Sequence, residues 1–180
     1  MIMLSVGKVQ AYIGHGKGKT TAALGLALRA AGCGLRAAIV FFDKGGDHYS
    51  ERHSLAKLGI DWWSTGLPRF DEEKKTFRMG VTKADQEAGR QGLDIARQIL
   101  QNKKYDILIL DEINSSVALD IVELQEVIAL LAYKPVEMEV VMTGRDAPAE
   151  LLALADLVTE MQPHKHYYQQ GVEARAGIEY

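Results

Sequence analysis

A chain of 180 residues, 47% of them hydrophobic, can close around one sizeable core, so a single domain spanning residues 1–180 is expected. The formal charge of -3 and a pI near 6.0 give no general footprint for nucleic acid, and an anionic ligand has to be held by local groups. The single cysteine, Cys33, excludes an intramolecular disulfide or a cysteine-cluster metal site and reads as a small buried apolar residue in a reducing compartment. The opening "MIMLSVGK" is too short for a signal peptide and no run reaches membrane-spanning length, so a cytoplasmic location with neither membrane nor nucleic acid as partner is expected.

Apolar runs predict strands at 8–13, 36–42, 60–64, 106–110 and 137–142, with a weaker one at 157–160. The runs "AAIVFF", "ILIL" and "VEMEVVM" are mostly continuous rather than alternating, as in parallel strands covered on both faces. Between them, 20–31 is small and apolar almost all round, which predicts a buried helix stopped by Gly32 and Gly34. The stretch 82–102 sets Ala88, Leu93, Ala96 and Leu100 at mostly helical spacing. Asp120 followed by Glu123 reads as a capping box for a helix with Leu124, Val127, Ile128 and Leu131 on one face, stopped near Pro135. Asp146-Ala147-Pro148 starts another, with Glu150 in its first turn.

Strand and helix alternating in this way predict an α/β fold: an open, mostly parallel sheet with right-handed crossovers and helices on both faces. Such sheets bind ligands at the carboxyl ends of their strands. Five polar, glycine-rich junctions fall there, "GHGKGKTT", "DKGGDHYS", "STGLPRF", "DEIN" and "TGRDAP".

The first junction carries Gly14, His15, Gly16, Lys17, Gly18, Lys19, Thr20 and Thr21. It matches the end of the phosphate-loop pattern G-x-x-x-x-G-K-[ST], but Ile13 stands where the first glycine belongs. The glycines allow backbone N–H groups to turn inward, the helix beginning near Thr20 adds its positive end, and Lys19 can reach phosphate oxygens. The second half of the signal is "YDILILDEIN", in which Asp111 and Glu112 end a strand where carboxylates hold magnesium directly or through water, together with the Thr20 hydroxyl. On the residues alone the reaction stays open. Glu112 is placed to position water or a hydroxyl nucleophile, so an ATPase or phosphotransferase fits, as does a non-catalytic nucleotide-binding regulator.

Other residues carry weaker signals. Trp62 and Trp63 point to opposite faces of a strand, so at least one belongs to the core. His164-Lys165-His166 has alternating spacing without a third metal ligand and reads as a surface or dimer-edge strand. Lys44 sits at a strand end on the ligand rim, where ligand contact and solvation are both open.

"GHGKGKTTAALGLALRAAG", "FFDKG", "LILDEIN", "VVMTGRDAPAELLALADLVTEM" and "HKHYYQQGVEARAGIEY" resemble, in order and over about residues 8–180, the P-loop type ATP:corrinoid adenosyltransferases. The resemblance implies transfer of the 5′-deoxyadenosyl group from the co-substrate ATP to the Co(I) of a reduced corrinoid, with triphosphate released. It further implies magnesium, a homodimer, a flavoprotein or flavodoxin-type electron donor, and a loop that grips ATP in reversed polarity. Ile13 becomes a family trait on this reading. For such a reaction Lys19, Lys17 and Arg145 can stabilise the triphosphate; carried over by position, Thr20 and Glu112 hold magnesium with Asp111 in support, and Leu67 and Phe70 stand near the corrin's lower face.

Overall fold

The structure, a computed structural model, describes residues 4–68, 70–71, 76–78 and 80–180; of residues 70–71 and 76–77 the backbone alone is described. Its centre is a six-stranded sheet in the order β3-β2-β6-β7-β1-β8. These strands are β1 (Val9–Ile13), β2 (Ala37–Phe41), β3 (Asp61–Ser64), β6 (Ile107–Asp111), β7 (Glu139–Thr143) and β8 (Leu157–Glu160). Every pairing among them is parallel. All six runs expected from the sequence are strands, and β2 and β6 are buried at every position, which is why their residues are apolar without alternation. β8, the weaker run, is an edge strand exposed along its length. A short antiparallel ribbon, β4 (Phe70–Asp71) with β5 (Thr76–Phe77), stands outside the main sheet.

Alternate residues of the strands feed two cores. Ala23, Ala27 and Ala30 of α1 (Lys19–Gly32) and Leu55 of α2 (Glu51–Lys57) pack with Ile39, Phe41 and Ile109 on one face. On the other face lie α3 (Lys83–Asn102), α4 (Ile113–Ala118), α5 (Leu124–Ala132) and α6 (Ala149–Ala153), supplying Leu93, Ile113, Val127, Leu130 and Leu151 against Val40, Leu108 and Val140. Alanine at three successive inward positions of α1 lets that helix lie close to the sheet, which brings its amino end down onto the strand ends. Trp62 packs into the first core and Trp63 into the second, as opposite faces of β3 require.

Several local expectations change. Asp120 does not cap α5; it turns out of α4 with φ +56, and Glu123 is the residue before the helix. Cys33 is exposed, because it follows the last turn of α1 instead of facing the core. His164 and His166 do not form a strand. The His166 ring nitrogen accepts the Tyr168 N–H and caps a 3₁₀ turn, Tyr167–Gln170.

Candidate nucleotide and metal site

Sheet order explains how the site assembles. β6 and β7 lie between β2 and β1, so the loops following β1, β2, β6 and β7 occupy neighbouring positions on one rim. Ile13 remains in β1, paired in register with Glu160, and its carbonyl accepts the Met161 N–H at 2.9 Å. The chain leaves the strand one residue later, at Gly14 with φ +97. Gly14 thus does the turning that a glycine at position 13 performs in the longer pattern. Little room is available: a Cβ on either Gly14 or Gly16 would lie 2.6 Å from the Met161 carbonyl oxygen. Gly18, with φ +119, opens α1.

Lys19 is 7% exposed, and its ammonium donates to the carbonyls of Gly14 at 2.7 Å and Gly16 at 2.9 Å. Burial lowers its pKa; Glu112 and Asp111 oppose that shift, and Arg145 and Lys44 add to it. A cation held by loop carbonyls inside a ring of glycine can exchange them for phosphate oxygens without moving the helix.

Two hydrogen-bond relays fix the acidic pair from the neighbouring strand. The Glu112 N–H donates to Thr143 Oγ1 at 2.9 Å, and the Thr143 hydroxyl donates to Asp111 Oδ1 at 2.8 Å. The Arg145 N–H donates to Ser115 Oγ at 2.8 Å, and the Ser115 hydroxyl donates to Glu112 Oε2 at 2.6 Å. Glu112 has φ +62, an unfavourable left-handed backbone for a residue with a side chain, sustained here by both relays. Gly144 permits the approach of the two loops, since a Cβ there would lie 2.5 Å from the Ser115 nitrogen.

Asp111 is fully buried. Its Oδ2 lies 2.7 Å from the Lys44 ammonium, yet at an angle that leaves this oxygen without a hydrogen bond. The same ammonium donates to Thr20 Oγ1 at 2.8 Å. Burial alone would lower the pKa of Lys44, but the neighbouring Asp111 carboxylate more than offsets that and the net shift is upward. Lys44 is therefore paired within the protein instead of solvated. The oxygens it joins, with Glu112 beside them, are hard donors of the kind magnesium prefers, and the buried Oδ2 lacking a directed bond fits a cation at that point.

Other residues expected at the site sit further out. Lys17 turns away from the loop: it donates to Tyr167 Oη and the Ile178 carbonyl, each at 2.9 Å, and to Glu179 Oε1 at 2.6 Å. Arg175, then Lys17 and Tyr167, hold the Glu179 carboxyl far below the usual carboxylate range. His15 is exposed and lies 3.2 Å from Asp146 Oδ1, linking the first loop to the one after β7. Thr21 is exposed and lines an apolar groove between α1 and α2 with Leu24, Leu28, Leu55 and Leu58. Arg145 is exposed on the rim. Leu67 is half-buried in the loop after β3, where a Cβ on Gly45 would meet the Leu67 carbonyl carbon at 2.2 Å. Phe70 begins β4, and its side chain lies outside the described residues.

Thr143, Ser115 and the bridging position of Lys44 were not anticipated. Thr143 had a readable signal, a threonine ending an apolar strand just before glycine, but its partnership with Asp111 depends on β6 lying beside β7.

With this geometry the molecule falls among the P-loop nucleotide-binding α/β proteins. Comparison with known proteins narrows the class: residues 5–180 match the family described as ATP:corrinoid adenosyltransferase BtuR/CobO/CobP. The chain belongs to that family. The corrinoid adenosyltransferase of Escherichia coli (strain K12) is 36% identical over 176 residues, covering 97% of this chain and 86% of that protein. The corrinoid adenosyltransferase of Pseudomonas aeruginosa is 30% identical over 176 residues, covering 97% and 84%. Among solved structures, the flagellar accessory protein FlaH from Methanocaldococcus jannaschii superposes with a TM-score of 0.55 at 12% identity over 87% of this chain and 72% of that one, a likeness of fold alone.

Proposed function

We propose that this chain carries out its family's reaction, ATP:corrinoid adenosyl transfer, at the rim formed by β1, β2, β6 and β7. The supporting observation is the convergence of the Gly14–Lys19 loop and Thr20 on the relay-held Asp111 and Glu112. The Co(I) electron pair forms a bond to the ribose C5′ as the C5′–O bond breaks, and triphosphate leaves with that oxygen. Cobalt is itself the nucleophile, so the protein needs no general base; it has to orient C5′ and stabilise charge growing on the leaving group. Lys19, the N–H groups opening α1, Arg145, and Lys17 once released from the tail supply that stabilisation. Thr20, Asp111 and Glu112 would hold magnesium, and when bound it would offset phosphate charge.

Leu67 and Phe70 stand on the corrinoid side, after β3, and apolar bulk there favours a corrinoid without a lower ligand. A homodimer, a cytoplasmic location and a flavoprotein or flavodoxin-type electron donor complete the reading. Among the described residues, no helix is long and apolar enough to cross a membrane. Chemically reduced corrinoid supplied with ATP and magnesium tests the reaction directly: adenosylcorrinoid and triphosphate should appear in equal amounts. ADP and phosphate without adenosylated product would instead make the chain a hydrolase or phosphotransferase.

A further inference from the structure

We propose that the Lys44 ammonium is a placeholder for the divalent cation: it sits between Thr20 Oγ1 and Asp111 Oδ2 when the nucleotide site is empty, and the metal enters by exchanging with it. The inference rests on the assignment of the metal seat to Thr20, Asp111 and Glu112. Its starting point is a carboxylate that is fully buried and needs a counter-charge whenever no metal is present. Lys19, the nearby alternative, is committed to the Gly14 and Gly16 carbonyls. Lys44 supplies the charge, 2.7 Å from Asp111 Oδ2 and 2.8 Å from Thr20 Oγ1. Its contact with Oδ2 is a close ion pair inside the protein, so the seat is one that a compact positive charge satisfies.

Magnesium and an ammonium cannot share this position, because two cations on the same pair of oxygens repel strongly in a buried setting. The main chain of Lys44 is not free to retreat. Its carbonyl accepts from Arg52 Nη2 at 2.7 Å and from the Ser64 hydroxyl, and a Cβ on Gly66 would lie 2.3 Å from its nitrogen. Exchange therefore occurs by rotation of the flexible side chain about a fixed backbone. In its seated position the ammonium already lies 5.5 and 5.8 Å from the Phe41 and Tyr49 ring centroids, so these rings offer it no new partner when it leaves Asp111.

The consequence is an order of binding. A bare divalent cation has to expel the ammonium with nothing to receive its charge, whereas a metal–ATP complex brings phosphate oxygens that pair with it. The protein should bind metal weakly alone and well with nucleotide.

Mn2+ titration of the nucleotide-free protein, read by electron paramagnetic resonance, tests this. Lys44→Met should bind bare Mn2+ roughly tenfold tighter than the natural protein or better. Equal or weaker affinity in a folded Lys44→Met would overturn the proposal. Asp111→Asn separates the proposal from its foundation: it should lose Mn2+ in both backgrounds, and unchanged Mn2+–ATP binding there would overturn the seat and the placeholder together. Should Lys44→Met fail to fold, the Nζ resonance of Lys44 in the 15N-lysine-labelled natural protein gives the answer. It should shift with magnesium and ATP but not with ATP plus a chelator. An unmoved signal, or an equal shift without metal, would overturn the exchange.

Discussion

Lys19 and Lys134 make the same local contacts at opposite ends of the sheet. Lys19 donates to two loop carbonyls, and Lys134 donates to the carbonyls of Gly7, Pro135 and Met138 at 2.9, 3.1 and 2.9 Å. Burial lowers the pKa of both. A lysine with a lowered pKa on backbone oxygens, buried like Lys19 or half-buried like Lys134, is therefore no mark of function by itself. The surroundings separate them. Lys19 opens a helix, sits among glycines and feels two carboxylates from β6; Lys134 follows α5 and ties the chain entering β1 to the turn before β7. One lysine's carbonyls are replaceable by a ligand, and the other's are a strap.

The largest effect should come from breaking the functional member. Lys19→Ala should lower adenosyl transfer by about 10²–10³, the size of losing one charge-assisted contact to a developing anion. Its melting temperature should also fall somewhat, since the Gly14 and Gly16 carbonyls that lose their donor belong to buried residues, but the fold should persist. A folded Lys19→Ala with natural turnover would remove the distinction between the two lysines. Next in size, Glu112→Gln should raise the magnesium concentration needed for half-maximal activity by about tenfold or more. Wild-type magnesium dependence would place this carboxylate away from the ion.

The strap should behave in the opposite way. Lys134→Met leaves three carbonyls without their donor and should cost about 1–2 kcal/mol in a denaturant titration, with turnover unchanged. A pH series sharpens the contrast. A lysine whose folded pKa lies below its unfolded value binds fewer protons in the folded protein, so stability rises with pH between the lowered pKa and the unfolded value of about 10.4. Lys134→Met should flatten part of that alkaline rise, and an unaltered slope would mean that Lys134 is as solvated folded as unfolded.

How far such differences can be read in advance depends on the range of the contacts. The strand runs were legible because β2 and β6 are buried on both faces and their composition shows it. The placing of Lys19-Thr20 and Asp111-Glu112 at strand ends on one rim was legible because each pair is adjacent in sequence. The short helices were not: Glu51–Lys57 and Ile113–Ala118 span too few turns for a periodic signal, and α4 begins from the left-handed Glu112. Lys44 bridging to Asp111, and Thr143 to the same carboxylate, join residues far apart along the chain whose meeting follows from strand order. The burial expected of Cys33 failed because residue type says nothing of a position just past a helix end.

A third lysine gives the smallest and most discriminating test. Lys17 belongs to the same loop as Lys19 but is held by the tail through Glu179, Tyr167 and the Ile178 carbonyl. If it serves triphosphate, ATP has to draw it from Glu179, and Glu179→Gln should tighten ATP binding by a few-fold, because a neutral partner releases the ammonium more readily. The clasp is only partly buried and joins the tail to a loop, so global stability should change little. The pH dependence has a fixed sign: Glu179 is held below its usual pKa, so the clasp is intact above the unfolded value near 4.3 and weakens as pH falls from there toward the depressed one. Calorimetric titration with ATP at neutral pH decides it. A lower affinity in Glu179→Gln would mean that Lys17 anchors the tail over the site, where it works like Lys134 although it stands beside Lys19.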